Sequence, residues 1–78
     1  SMLAEHDRVV LRSNIPEHHL VAGDIGAVVF VHQHGAGYEV EFMALDGETV
    51  AIVTLLPAQI RPIARREIAH ARLIAQAA

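Results

Sequence analysis

AGDIGAVVFV, residues 22–31, is the stretch on which the fold turns. Gly23, Asp24 and Gly26 read as a turn and its exit. Ile25 and the run AVVFV after Gly26 read as a strand, because Val and Ile are stiff at χ1 and pack well on a pleated surface. A glycine inside such a run, Gly26, predicts a bulge or the close approach of another backbone. The remaining apolar segments are placed to pair with this strand or to pack against it.

Upstream, RVVLR at residues 8–12 is a first strand, with apolar Val9, Val10 and Leu11 between charges. SNIPEHHL interrupts it. Pro16 lacks an amide proton and disfavours helical geometry at Ile15, so this is an excursion loop with one helical turn near Glu17. Downstream, HGAG at residues 34–37 is a glycine-rich hairpin connection. YEVEFM then alternates cleanly, with Tyr38, Val40 and Phe42 on one face and Glu39, Glu41 and Met43 on the other. Asp46-Gly47 signals a hairpin turn. TVAIVTL follows as a nearly continuous apolar strand, Pro57 opens a single turn, and residues 60–63 form a short closing strand.

From Ala64 the period changes. Ile68, Ala71, Ala75 and Ala78 fall on one line, and Ala64, Ile68, Ala71 and Ile74 on an overlapping one. Together with the local wealth of Ala, Arg, Glu, Leu and Gln, this predicts a C-terminal α-helix over residues 64–78. The expected organisation is a lead-in at residues 1–6, with Ser1 read as a tag remnant, a β domain at 7–63 and the helix at 64–78. Five short strands with such connections favour an all-β, SH3-like small barrel, because closure removes exposed sheet edges, and a simple open meander with a covering helix is the alternative.

Composition bounds the chemistry. At 78 residues the chain is one domain with a modest core. It has no cysteine, so thiol chemistry and thiolate metal sites are excluded. Six cationic residues, all arginine, and a net charge of −3 argue against a nucleic-acid binder. No apolar run spans a membrane, and no basic-then-apolar leader opens the chain, so the expectation is a cytoplasmic protein.

The order of the blocks resembles the DUF4926 family of short bacterial proteins, a domain of unknown function. The resemblance rests on DRVVL at residues 7–11, IPEHHL at 15–20, GDIGAVV at 23–29, YEVEF at 38–42, Asp46-Gly47, and the segment from Leu55 through Arg61-Pro62-Ile63. It implies an SH3-like barrel and no established activity. It also implies distant similarity to the SH3-like domains of nitrile hydratase β subunits and of a ferredoxin–thioredoxin reductase subunit, which serve as structural and subunit-contact pieces. Residues 23–31 are further similar to the KOW signature of ribosomal and transcription-factor barrels. That signature carries basic residues beside its glycine, whereas here the neighbours are His18, His19 and Asp24.

Four histidines, His18, His19, His32 and His34, are the candidate metal ligands or general base, since imidazole titrates near neutrality and binds zinc or nickel. Adjacent histidines diverge in extended chain, so the reading is loop or surface histidines, with no cofactor. Glu39 and Glu41 share a polar strand face; the bland reading is solvation or pairing with Arg8 or Arg12. No nucleophile arrangement is visible. Gly23, Asp24, Gly26, Asp46 and Gly47 are structural turn residues, because the phosphate-loop pattern with its lysine is missing. Arg61, Arg65, Arg66 and Arg72 cluster at the C-terminal end with Ile68, Leu73 and Ile74, which together form the candidate interaction surface. The tail carries more apolar positions than one covering stripe needs. The expected function is a non-enzymatic protein-interaction or subunit-assembly module, self-associating or binding an unidentified partner protein. Nucleic-acid binding through the arginines and a histidine-based metal or enzymatic role are the alternatives.

Overall fold

Period-two alternation decides which way each strand faces. The computed structural model describes residues 3–74. Its strands are β1 (Arg8–Leu11), β2 (Ile25–His32), β3 (Gly37–Met43), β4 (Thr49–Leu55) and β5 (Ile60–Pro62), with single 3-10 turns at Pro16–His18 and Pro57–Gln59. All pairings are antiparallel, and the strands lie in the order β4-β3-β2-β1-β5. Val28 pairs with Val40, and Val40 with Val53, so one face collects Val28, Tyr38, Val40, Phe42 and Leu55. Val9, Leu11, Ile15, Leu20 and Ile60 complete this buried cluster. Ile15 and Leu20 reach it because they close the excursion loop on itself through reciprocal backbone hydrogen bonds of 2.9 and 3.2 Å.

The glycines divide by physical cause. Gly23 and Gly47 sit at φ 98° and 97°, left-handed positions that their turns require. The Asp24 and Asp46 carboxylates accept the Val21 and Glu48 N–H groups at 2.9 and 3.0 Å and lock those turns. Gly26 serves close approach instead. A Cβ there would stand 2.6 Å from Val40 Cγ1 and 2.9 Å from the Glu41 carbonyl oxygen. The bulge lies three residues on, where the register with β3 slips between Val28 and Phe30 and Val29 is the extra residue.

Two expectations are corrected. The barrel is not closed: the sheet is open, ending at β4 on one side and β5 on the other, with no β4–β5 ladder. β5 has only three residues, pairs with β1, and ends at Pro62, which has no N–H to extend a ladder. The connection at Pro57–Gln59 carries the chain from one edge of the sheet to the other without joining them.

The C-terminal helix is absent from residues 64–74, which run as a turn at Arg65 and Arg66 followed by irregular chain. Helix propensity over one short segment does not cover the cost of nucleation without a packed face. Ala64 is a poor N-cap. The charged side chains that would decorate a helix are drawn to the sheet: Glu67 to Arg61, and Arg72 to Asp24. The predicted helix end at residues 75–78 lies outside the described residues.

Candidate functional site

The side of the sheet away from the core carries the side chains that folding leaves over. Because Tyr38, Val40 and Phe42 face inward, Glu39 and Glu41 face outward, and register places Phe30 and Thr54 beside Glu39, and Ala27 and Ile52 beside Glu41. Glu39 accepts from Thr54 Oγ1 at 2.5 Å and from His32 Nε2 at 2.7 Å. The His32 ring also meets the Phe30 ring edge-on, with centroids 4.8 Å apart. Glu41 accepts from Thr49 Oγ1 at 2.6 Å. The Thr54 hydroxyl, and then His32, hold the Glu39 carboxyl below its usual range, so it stays ionised. These acids bond to threonines and a histidine; neither pairs with Arg8 or Arg12.

Around the two acids lie apolar side chains without cover. Phe30, Met43 and Ile52 are each about half exposed, and Leu45 in the next turn is almost wholly so. Ile52 also stands in the middle of β4, whose seven residues, TVAIVTL, contain no charge and no proline. β4 is an edge, so its outward N–H and C=O groups have no ladder partner among the described residues. Natural edge strands are guarded by lysine, proline, a bulge or a cover. Here the single irregularity opposite β3 falls near Met43, at the start of the strand, and leaves residues 51–55 regular.

The second cluster is at the tail. Arg61 forms a fork with both Glu67 oxygens at 2.9 and 2.8 Å, and Glu67 Oε1 also accepts the Ala64 N–H at 2.6 Å. The Arg61 guanidinium and then this amide hold the Glu67 carboxyl down to about 2. Arg72 donates from Nε to Asp24 Oδ1 at 2.8 Å and from Nη2 to Asp24 Oδ2 at 2.5 Å, with Nη2 also reaching the His19 carbonyl at 3.0 Å. Partial burial pushes the Asp24 carboxyl up, but the hydrogen bonds from Arg72 and the Val21 amide outweigh it and the carboxyl lies below its ordinary value. Between these two clamps the chain spans a cleft of about 860 Å³, lined by Val10, Ile25, Arg8 and Ile63 on the sheet side and Ile68 and His70 on the tail side.

Of the surface predicted from sequence, then, Arg61 and Arg72 are engaged in ion pairs. Arg65, Arg66, Ile68 and Leu73 are exposed, and Ile74 is half-buried. His18, His19 and His34 are exposed, and His32 alone of the four is engaged, with Glu39. Among the described residues no group of three or more His, Asp or Glu side chains is placed to hold a metal. The edge position of β4 was not read from the sequence. Its signal, seven consecutive uncharged residues, was present but served equally well for a barrel strand with two neighbours.

A family model described as "Domain of unknown function (DUF4926)" matches residues 5–62. No curated protein and no solved structure matches the chain.

Proposed function

The chain belongs to the DUF4926 family, and from that premise we propose that it works as a small non-enzymatic subunit-assembly module that joins other chains by its β4 edge. The observation that carries this is the unguarded edge strand Thr49–Leu55, uncharged along its length and half exposed at Ile52. Such a strand adds a neighbour through backbone hydrogen bonds, while side chains on alternate residues set the choice of partner. A second copy fits best. Antiparallel β4–β4 pairing centred on Ile52 brings no like charges together, since the strand carries none, Glu39 and Glu41 sit one strand further in, and Glu48 of each copy lies beyond the strand at opposite ends of the pair. The same pairing sets the Ile52 side chains of two copies side by side and lengthens the sheet. Face-to-face stacking of two outer faces is disfavoured instead, because it confronts four carboxylates.

The test is the solution mass of the protein and of Ile52→Lys, measured by light scattering over a concentration series. Lysine at this position stands opposite Glu41 in the register, so it is tolerated within the monomer and guards the edge against a neighbour. The wild type should weigh more than the 8.5 kDa monomer, and Ile52→Lys, with edge pairing blocked, should weigh less than the wild type at every concentration. The arginine cluster lends no matching support to nucleic-acid binding, because two of its four members are already neutralised by Glu67 and Asp24.

A further inference from the structure

Among the described residues, the tail is fastened by two ion pairs, Glu67 with Arg61 and Arg72 with Asp24. Ile68 and Leu73 are 93% and 96% exposed, and the chain between the clamps bridges an open cleft instead of packing into it. The far clamp is a built receptor for a guanidinium. Asp24 Oδ2 is pre-oriented by the Val21 N–H, and the Asp24 side chain is only 16% exposed. His19, held at φ 59° as the cap of the Pro16–His18 turn, supplies its carbonyl to the same arginine. Left-handed geometry at a non-glycine residue is costly, and here it sets a polar atom in place. The fork of Nε and Nη2 on both carboxylate oxygens is the geometry that selects arginine over lysine.

From these observations we infer that the Asp24–His19 cradle is an arginine-binding site that a second copy's Arg72 fills, so that the tails exchange between two copies. Everything that holds the tail in place within one copy is kept when the tail crosses to a neighbour, which is why exchange of a terminal segment is a low-cost route to a dimer. The turn that sends the tail back over its own sheet depends on Arg66 at φ 63°, a left-handed position for a bulky side chain. A tail that leaves for the neighbouring copy has no need of that turn. Exchange also places the exposed Ile68 and Leu73 of each tail between two copies. The inference stands on residues separate from the β4 edge and does not depend on it.

The experiment uses full-length chains carrying Ile52→Lys, so that edge pairing contributes nothing. One chain carries Asp24→Cys in addition, the other Arg72→Cys; the parent has no cysteine. When the two are mixed, only exchange satisfies both cradles: the first chain's Arg72 meets the second chain's Asp24, and the two new thiols meet each other. The expected result is a disulfide-linked heterodimer in the mixture, several-fold more abundant than the homodimers that either chain forms alone. A mixture with no excess of heterodimer overturns the inference, whatever the mass of the wild type shows about the edge. A second measurement leaves the Asp24 turn untouched. The full-length Arg72→Ala chain, with its cradle vacated, should bind a synthetic peptide of residues 67–78, and the same peptide with Arg72→Ala should bind at least tenfold more weakly. Equal binding of the two peptides, or binding of neither, overturns it as well.

Discussion

Gly26 and Gly37 belong to neighbouring strands, and alanine should act on them with opposite sign. At Gly26 a methyl group would stand 2.6 Å from Val40 Cγ1, 2.9 Å from the Glu41 carbonyl oxygen and 3.0 Å from Phe42 Cδ1. Val40 is fully buried and the carbonyl belongs to the backbone of β3, so neither can retreat without moving the β2–β3 ladder. Overpacking of this kind costs about 1–3 kcal/mol. Restricting the unfolded chain returns about 0.4–1 kcal/mol. Gly26→Ala should therefore destabilise by about 1–2 kcal/mol, or roughly 4–16 °C in Tm for a domain of this size. At Gly37 the nearest atoms would be the Leu55 carbonyl oxygen at 3.7 Å and His32 Cβ at 3.9 Å, ordinary contacts. Only the unfolded-state term remains, so Gly37→Ala should be neutral or stabilising by up to about 1 kcal/mol. Urea unfolding of the three proteins, with equal m-values, reads both effects. Shifts of the same sign at the two positions, or a Gly26→Ala protein as stable as the wild type, would refute the reasoning.

Further outcomes follow from the core and the clamps. Leu55→Ala removes a side chain only 2% exposed at the end of β4 and should cost about 2–5 kcal/mol in urea or thermal unfolding. That is a large share of the roughly 4–12 kcal/mol expected for a chain of this length. Asp24, Glu39 and Glu67 all have carboxyls lowered by the fold. Their contribution is fully present above their unfolded values near 4 and is lost as pH falls through the folded ones. Stability should therefore be insensitive to these groups above about pH 5 and should decline below it, with the Glu67 clamp opening between 4.5 and about 2. Exchange of the Ala64 amide, which Glu67 accepts, should become faster over that window; a protection factor that stays flat to pH 2 would contradict the clamp. Glu67→Gln should speed the same exchange at neutral pH while leaving the urea midpoint close to that of the wild type, as for other exposed ion pairs.

The strands were legible because their physics is local. The alternation of Tyr38, Val40 and Phe42 against Glu39 and Glu41 fixes the facing of β3, and Asp46-Gly47 fixes the turn after it. Thr49–Leu55 stands as read. Gly26 was legible as either a bulge or a close approach; the choice between them depends on Val40 across the ladder, which no local pattern contains. Closure was not legible, because whether β4 meets β5 depends on the path of the chain through Pro57–Gln59 and on a last strand of three residues. The tail was misread for a sharper reason. Its period and composition favour a helix, but Arg72 finds Asp24 48 residues away and Glu67 finds Arg61 six residues back. Spacing within the tail cannot reveal either partner. The same pairs engage Arg61 and Arg72 of the arginine cluster with carboxylates of the fold.

The central claim is that the β4 edge is a docking strand, and solution mass tests it most directly. Light scattering on the wild type and on Ile52→Lys, over a concentration range reaching hundreds of micromolar, should give a wild-type mass that climbs above 8.5 kDa and an Ile52→Lys mass that stays below that of the wild type throughout. A wild type that remains at the monomer mass throughout, or an Ile52→Lys protein that associates equally well, would contradict the account.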